Sequence, residues 1–547
     1  MIPRFFKNTY FIILFIFLFS LTLRSFNLGS IPYSLHTDEV YAGYQGNKIV
    51  KTGSDIFGNH LPLYIDKFGD YRPAGIFYIV GLFTSTLGLN DFTIRFPVAV
   101  IGSLTVIPLY LLVLLLFNNK KIAFISSLLL AISPWHIIAS RSTSESIISL
   151  SLVIGGVTWL MYALKRGKEI FFLFSFLLLI LSYFFYPTPR VFVPAFLIFF
   201  AVFILFARRL ISTKLNKFLK GKYLYLMILI VVVITFAITF TKFGTGRFNQ
   251  TSIFANKDIR SKIKILEDGH QGDILTARIF HNKLIVYSKE FLDQYLSYFS
   301  IQYLYVKGGF PHRYIVNEAA LFYYIELPLF LTGLFFLIKK REFFFFVPII
   351  WVMIGPLAAS LTTEDSPNIQ RSIFMLPSFQ IIEAYGIYFL LESLREKKKY
   401  SLTAICIAFL INGIYFFDQY FVHSPSHVAY SRNDGNERLF AYLNTQIANY
   451  DKIYLPVYGD LPVYYYYYKK DKSSFLSISR FEYENGFKVG KYIFVPDECP
   501  ENKINLQETR DSVLIVDYGN CKTNPILKHV STVYRKDSAV AFTISEL

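Results

Sequence analysis

Apolar runs of about 20 residues recur along most of this chain, and they limit the folds that are open to it. A run of that length is what an α-helix needs to cross the hydrocarbon core of a bilayer. Hydrophobic residues make up 54% of the 547 residues, and aromatic residues make up 18%. The sequence therefore predicts a polytopic α-helical membrane protein with about 11 transmembrane helices. The predicted spans are 10–24, 96–117, 122–140, 146–164, 170–186, 191–207, 223–241, 321–338, 343–361, 372–391 and 401–417.

The formal net charge of +17 is not a sign of nucleic-acid binding. The basic residues cluster at the ends of the apolar runs, where such residues fix topology and contact anionic lipid. Membrane lipids are therefore expected partners, and nucleic acid is not. Arg4 and Lys7 precede the first apolar run, but no small-residue cleavage site follows it, so we predict a retained first helix rather than a signal peptide.

Short basic loops predict the orientation of the chain. The apolar run 74–88 is the one ambiguous crossing, because it is short and interrupted by glycine, serine and threonine. If this run lies in the outer interface, all the basic clusters fall on the N-terminal side, and if it crosses, all of them fall outside. We therefore predict a multi-pass protein of the plasma (cell inner) membrane with a cytoplasmic N-terminus. The clusters are 118–121, 165–168, 208–222, 339–341 and 395–399.

In this orientation, most of the remaining charged residues lie on the outer face of the membrane. Ionisable residues near a bilayer are costly and tend to be functional, so a functional site is expected on this face. The segments that lie outside are the first outer loop 24–95, the stretch 140–145, the long outer loop 242–320 and the loop 362–371.

The polar segment 418–547 differs from the rest of the chain. It contains short β-branched and aromatic runs that are typical of buried strands, and we predict a small extracytoplasmic α/β domain over 418–547 after a transmembrane domain over 1–417. Cys499 and Cys521 could form a disulfide in an oxidising compartment, but the sequence does not decide this. The strand-like runs are 452–457, 492–495 and 512–516.

Two adjacent acids, Asp38 and Glu39, stand just past the first apolar run. Acids at the mouth of a membrane span are functional candidates from the start. A structural interpretation is equally open, since Thr37 could cap a helix whose first turn holds both acids at the positive end of the helix dipole.

Other charged residues of the outer segments could complete such a site. An arginine offers a bidentate fork to phosphate, and a carboxylate can act as a general base or hold a divalent metal. Acids and arginines at the lipid boundary therefore suit a lipid-phosphate substrate that meets an acceptor. Structural roles stay open, because Arg141 and Glu145 could pair across one helical turn and the other arginines could anchor at the interface. The candidates are Asp70, Arg72, Arg95, Arg141, Glu145, His312 and Arg371.

Four stretches, taken in order, resemble the GT-C membrane glycosyltransferases of the protein O-mannosyltransferase and aminoarabinose-transferase type. The resemblance covers about the first 200 residues well and later parts only by their hydropathy. It implies a GT-C-like catalytic domain and an inverting glycosyltransferase. Such an enzyme moves a sugar from a polyprenyl-phosphate donor to a protein, lipid or cell-envelope glycan acceptor at the outer membrane face. The matching stretches are Thr37–Ala42, Tyr71–Gly75, Leu89–Pro97, and Ser140-Arg141 with Glu145.

The resemblance also implies roles for individual residues. Asp38 corresponds to the catalytic base or the acid that positions the acceptor, with Glu39 as its neighbour. Arg72 corresponds to a basic residue near the donor phosphate, where the aminoarabinose type has lysine. Arg141 and Glu145 correspond to a basic–acidic pair near the site. Asp38 and Glu145 are candidates for holding a divalent metal, and this stays open because Glu145 stands where relatives often have aspartate.

Other functions also remain open. A transporter or flippase of lipid-linked glycans would use charges near mid-membrane and tends to have repeat halves, whereas these charges gather at one face and no repeat is visible. A glycan ligase and a non-catalytic scaffold are further alternatives. The sequence has no phosphate loop, zincin motif or nucleophile elbow, which argues against nucleotide hydrolysis and peptidase chemistry. It identifies neither the sugar nor the acceptor.

Overall fold

The computed structural model describes residues 4–67, 70–207, 222–241, 244, 250–270, 274–340, 343–469, 475–504, 512–522 and 524–547. The basic residues 208–221 and Arg341, used above for the orientation, lie outside the described residues. The helices up to residue 207 are α1 (Arg4–Ser25), α2 (Thr37–Thr52), α3 (Gly75–Leu87), α4 (Asp91–Leu104), α5 (Val106–Phe117), α6 (Lys120–Ile132), α7 (Pro134–Arg141), α8 (Glu145–Arg166), α9 (Ile170–Leu181) and α10 (Pro189–Ala207). Later helices are Lys222–Thr239, Lys257–Asp268, Ile274–Phe280, Lys283–Ser297, Glu326–Lys340, Phe346–Ile354, Leu357–Ser360, Ile369–Ser372, Leu376–Ser393, Lys398–Asp418, Ser424–His427, Asn436–Gln446, Leu461–Tyr468 and Arg480–Asn485.

The structure agrees with a multi-pass helical membrane protein, but the predicted count of about eleven spans is not confirmed. Among the described residues, five helices are long and apolar enough to cross a membrane, and the bent pair α6–α7 would make a sixth. One reason for the difference is Pro134, which has no backbone N–H to continue the helix that precedes it. The predicted span 122–140 is therefore two helices, which meet at 53°. The five helices are Asp91–Phe117, Glu145–Arg166, Pro189–Phe206, Ile369–Ser393 and Arg395–His427.

The first outer loop folds into a helix pair and a hairpin. Strands β1 (Tyr64–Lys67) and β2 (Asp70–Pro73) pair antiparallel between α2 and α3. The two helices pack closely, since a Cβ at Gly46 of α2 would overlap the carbonyl of Phe77 in α3. The ambiguous run 74–88 forms α3, whose 13 residues are too few for an upright crossing. Its place in the outer interface stays a prediction.

The C-terminal region contains the predicted sheet. Its strands are β3 (Lys452–Pro456), β4 (Phe487–Val489), β5 (Tyr492–Val495), β6 (Val513–Tyr518), β7 (Lys528–Tyr534) and β8 (Val540–Glu546). Their order in the sheet is β4-β5-β3-β6-β8-β7, with β3 parallel to β5 and β6 and the other pairs antiparallel. Cys499 and Cys521 form a disulfide. The division of the chain between residues 417 and 418 stays a prediction.

The C-terminal region packs directly on the start of α2. The hydroxyl of Tyr464 donates to the carbonyl of Leu35 at 2.8 Å, and the hydroxyl of Tyr467 donates to Asp91 at 2.6 Å. Both tyrosines are buried, and both belong to a run of five consecutive tyrosines at 464–468. This packing places residues of the C-terminal region beside Asp38 and Glu39.

Candidate active site

The candidate site forms where α2 begins. His36 caps the helix: its ring nitrogen accepts from the backbone N–H of Asp38 at 3.1 Å, and Glu39 accepts from the N–H of His36 at 3.0 Å. Thr37, the expected cap, instead donates its hydroxyl to the side chain of Asn433 at 2.8 Å. Successive residues of a helix point about 100° apart, so the two adjacent acids face different surroundings.

Three cationic side chains meet the carboxylate of Asp38. Lys67 Nζ lies 2.9 Å and Arg72 Nη1 2.8 Å from Oδ1, while Arg313 Nη2 lies 3.3 Å from Oδ2. The Asp38 side chain is 14% exposed. Burial favours the neutral carboxyl, but Arg72, Lys67 and Arg313 outweigh burial and hold the pKa of Asp38 well below its usual value. Asp38 is therefore an ionised carboxylate at neutral pH.

The β1–β2 hairpin supplies two of these cations. Lys67 lies opposite Asp70 in the strand register, and side chains alternate along a strand, so Lys67, Asp70 and Arg72 share one face. Arg72 Nε contacts Asp70 Oδ2 at 2.8 Å while its Nη1 reaches Asp38. The structure thus brings the predicted residues Asp70 and Arg72 to Asp38 and adds Lys67, which the sequence pattern does not single out.

The third cation comes from the long outer loop. Arg313 lies in the short helical turn His312–Tyr314, and its Cζ lies 5.2 Å from the centroid of the Tyr314 ring. The ring of His312, the predicted residue, lies 4.7 Å from the ring of Phe310, measured between centroids. The loop therefore contributes Arg313 to Asp38, one position beyond the predicted histidine.

Glu39 is turned into the protein, where it forms a buried triad with two arginines. Arg95 contacts it at 3.1 Å (Nε to Oε1) and 3.3 Å (Nη2 to Oε2), and Arg432 contacts Oε2. The side chains of Glu39, Arg95 and Arg432 are 2%, 0% and 1% exposed. Burial favours the neutral acid, but Arg432 and Arg95 outweigh burial and lower the pKa of Glu39 to about 2. A carboxylate enclosed in this way suits a structural role better than proton exchange with a substrate.

The C-terminal region adds two charged residues beyond the predicted set. Arg432 binds Glu39, and Asp460 Oδ2 lies 3.1 Å from Lys67 Nζ. Asp460 follows β3, and the carboxyl end of a parallel strand is a common position for site residues, so this signal was available in the sequence. No local pattern marks Arg432, because its partner lies 393 positions away along the chain.

Arg141 and Glu145, which were predicted to lie together near the site, have different surroundings. Arg141 is fully buried and donates to carbonyl oxygens of α1 and of the segment that follows it, at 2.8 to 3.2 Å. Its guanidinium also lies 5.4 Å from the centroid of the Tyr420 ring. Glu145 begins α8 and lies within electrostatic range of Arg72. Arg141 therefore stabilises the C-terminal end of α1 through hydrogen bonds, whereas Glu145 lies near the site.

A cavity of about 970 Å³, counted with the part that opens to solvent, adjoins this site. Its lining is mostly apolar but includes Arg190 and Arg371. Tyr71 and Pro73 line it from β2, and because side chains alternate along a strand, they present the face opposite to Arg72. The cavity and the Asp38 cluster therefore share β2 as a common wall.

Arg371, a predicted substrate-binding residue, lies in this cavity. Its Nη2 contacts Glu364 Oε2 at 2.6 Å, and its Nη1 donates to the hydroxyl of Thr362 at 2.7 Å. Glu364 is 53% exposed, so this ion pair contributes little to stability, and an incoming anion could replace Glu364 at small cost.

A divalent metal does not fit the arrangement around Asp38. Three cationic groups already contact its two oxygens, and they would repel a further positive ion. In the part of the chain that the structure describes, no group of three or more His, Cys, Asp or Glu side chains is placed to hold a metal ion. We therefore assign no metal to Asp38.

Comparisons with known proteins give a sequence family for part of the chain. Residues 71–238 match the family described as dolichyl-phosphate-mannose-protein mannosyltransferase. This segment begins in β2 and includes Arg72, Arg95 and Arg141. No match is found among curated protein sequences.

Solved structures share the fold. ArnT from Cupriavidus metallidurans bound to undecaprenyl phosphate has a TM-score of 0.53 at 12% identity, over 100% of this chain and 98% of ArnT. Its apo state has a TM-score of 0.53 at 11% identity, over 97% and 96% of the two chains. The oligosaccharyltransferase AglB from Archaeoglobus fulgidus, in complex with an inhibitory peptide and a dolichol-phosphate, has a TM-score of 0.49 at 14% identity, over 87% of this chain and 61% of AglB. This chain thus spans about three fifths of AglB. The predicted resemblance to GT-C membrane glycosyltransferases is confirmed.

Proposed function

We propose that this protein is an inverting glycosyltransferase, which moves a sugar from a polyprenyl-phosphate donor to a protein, lipid or glycan acceptor. The observation that carries the proposal is the ionised Asp38 carboxylate, which contacts Arg72 and Lys67 on one face of the β1–β2 hairpin, while the other face of β2 lines a cavity with two further arginines. The family match of residues 71–238 and the fold shared with ArnT support it. The reaction would take place at the outer face of the plasma membrane, with the N-terminus in the cytoplasm and the C-terminal region outside.

The cavity suits the head group of such a donor. Arginine forks recognise phosphate, and here Arg190 and Arg371 lie in the cavity while Arg72 lies on the adjoining strand. The mostly apolar lining suits the first isoprene units of the lipid. Arginines beside the phosphate would also stabilise the charge that develops on the leaving group.

Asp38 must gain base strength before it can accept a proton from the acceptor. Its three cationic partners hold its pKa low, and a carboxylate of low pKa is a weak base. A donor phosphate would draw Arg72 and Arg313 toward itself, and the pKa of Asp38 would then rise. The donor therefore binds before the acceptor is activated.

The transfer itself is a single displacement. The proton of the acceptor hydroxyl or amine passes to Asp38 as the acceptor atom bonds to the anomeric carbon of the sugar. The bond from that carbon to the phosphate oxygen breaks, and polyprenyl phosphate leaves with the electron pair. Attack from the face opposite to the leaving group inverts the anomeric centre.

Incubation of the purified protein with a defined polyprenyl-phosphate sugar and a heat-treated cell-envelope extract, which supplies protein, lipid and glycan acceptors, tests the proposal, with release of polyprenyl phosphate measured by mass spectrometry. Asp38→Asn keeps the shape of the side chain and should lower kcat about 10²- to 10⁴-fold, the usual contribution of a general base. Glu392→Gln, at an exposed acid that pairs with Lys398 at 2.5 Å, is the matched control and should turn over like wild type.

Two results would count against this function. Full turnover by a folded Asp38→Asn protein would exclude Asp38 as the base. If wild type releases no polyprenyl phosphate from any such donor, glycosyl transfer is rejected. A flippase would move the donor with its sugar–phosphate bond intact, so the same measurement separates these two functions.

A further inference from the structure

Lys67 is shared between two carboxylates that come from different parts of the chain. Its Nζ lies 2.9 Å from Asp38 Oδ1 and 3.1 Å from Asp460 Oδ2. The side chains of Lys67, Asp38 and Asp460 are 13%, 14% and 11% exposed, so water and salt screen these contacts only weakly. We infer that Asp460 is a positioning residue of the proposed transfer reaction, which sets the base strength of Asp38 through Lys67.

The backbone holds Asp460 at this position. Asp460 ends the turn Tyr458–Asp460 after β3, and both Gly459 (φ 66°) and Asp460 (φ 58°) have left-handed conformations. Aspartate is one of the few residues besides glycine that adopt this conformation, because its short polar side chain can form local hydrogen bonds. The helix Leu461–Tyr468 begins directly afterwards and anchors the turn against α2.

The charges around Asp38 explain how Asp460 acts. Lys67 divides its hydrogen bonds and its positive charge between the two acids, so Asp38 receives only part of the stabilisation that this lysine can give. If Asp460 were neutral, Lys67 would serve Asp38 alone. The pKa of Asp38 would then fall further and its base strength would decrease. The groups that face Asp38 are His36 from its own helix, Lys67 and Arg72 from the hairpin, and Arg313 from the long loop.

Asp460 also matters after the donor has bound. When a phosphate draws Arg72 and Arg313 toward itself, Asp460 still holds Lys67 on the side of the C-terminal region. Because Lys67 stays bound to Asp460, its ammonium group stabilises the Asp38 carboxylate less, and Asp38 can accept the proton of the acceptor. This inference rests on the proposed function, and it makes the C-terminal region part of the active site.

Steady-state kinetics of Asp460→Asn tests the inference. We expect kcat to fall about tenfold, within the range measured for coupled residues in one ion-pair network. The KM for the donor should change little, and the acidic limb of the kcat–pH profile should move to lower pH. Asp460→Glu keeps the charge and should recover most of kcat. In a Lys67→Met background, Asp460→Asn should have no further effect, because Lys67 carries the coupling.

Asp66→Asn is the matched control. Asp66 contacts Arg480 at 3.1 Å across the same junction between β1 and the C-terminal region, and this pair does not include Lys67. The control should keep the kcat and pH profile of wild type. A wild-type profile for Asp460→Asn, or an equal loss in Asp66→Asn or in the Lys67→Met background, would overturn the inference. Turnover by wild type and its loss in Asp38→Asn would show that the proposed function still stands in that case.

Discussion

Glu39→Gln should destabilise the protein strongly, because it removes a negative charge that lies between two buried arginines. Arg95 and Arg432 are 0% and 1% exposed, and both contact the Glu39 carboxylate. A glutamine amide has the same shape but cannot balance their charge. Glu39 also accepts from the backbone N–H groups of His36 and Thr143, so the substitution weakens the start of α2 as well.

Two estimates of the lost free energy of unfolding agree. Removing one partner of a buried ion pair costs about 3–5 kcal/mol. The folded protein lowers the pKa of Glu39 from 4.5 to about 2, which corresponds to about 3 kcal/mol at about 1.4 kcal/mol per pKa unit. Because the folded-state pKa is depressed, this contribution is present above about pH 4.5 and is lost as the pH falls toward 2. Typical total stabilities are about 5–15 kcal/mol, so the loss is a large share.

Unfolding of the detergent-purified protein by heat or urea, followed by tryptophan fluorescence, measures the effect. Glu484→Gln is the control, because Glu484 pairs with Arg480 at 2.7 Å but is 46% exposed, and exposed pairs contribute at most about 1 kcal/mol. We expect a much lower midpoint for Glu39→Gln at neutral pH, with a gap to wild type that narrows below about pH 4.5. Equal midpoints for the two variants at neutral pH would refute the ion-pair reasoning.

Two further changes test the site and its scaffold. Arg72→Met should raise the KM for the polyprenyl-phosphate donor at least about tenfold, since a hydrogen bond to a charged group contributes about 1.5–3 kcal/mol. It should also move the acidic limb of the kcat/KM–pH profile, which reports the enzyme without donor, to higher pH, because Arg72 no longer lowers the pKa of Asp38. An unchanged KM in steady-state kinetics would contradict a role of Arg72 in donor binding. Gly46→Ala should lower the thermal midpoint by overpacking against the carbonyl of Phe77, at a cost of about 1–3 kcal/mol. Gly269→Ala, where a Cβ meets only ordinary contacts at 3.5 Å, is its control, and equal midpoints would exclude a packing role for Gly46.

The helices of the fold could be predicted because a chain in lipid must satisfy its backbone hydrogen bonds within each segment. An apolar run therefore becomes a helix whatever its neighbours are. Composition does not determine how long each helix stays straight, since that depends on local breaks such as Pro134. Hydropathy alone therefore could not predict the number of helices that are long enough to cross the membrane.

The candidate site was predictable in part for a similar reason. Asp38, Asp70 and Arg72 come from one loop, so their proximity follows from the short chain between them. Lys67 belongs to the same hairpin, but a single lysine in a polar loop carries no distinguishing pattern. Arg432 and Asp460 reach the site only because the C-terminal region docks on α2. The position of Asp460 after a strand-like run marks it as a candidate, but no local sequence signal gives its contact with Lys67 or the contact of Arg432 with Glu39.

The two interpretations of the adjacent acids, helix capping and catalysis, fall on different residues: Glu39 takes part in the cap, and Asp38 is the proposed base. Glu39 completes the cap of α2 and joins α4 to Arg432, whereas Asp38 gathers the cations of the hairpin and the long loop. Both acids depend on the C-terminal region, Glu39 directly and Asp38 through Lys67 and Asp460. Undocking of that region would leave Glu39 with one arginine fewer and Lys67 with one carboxylate fewer. Docking therefore completes the buried triad and brings Asp460 to Lys67 in the same step.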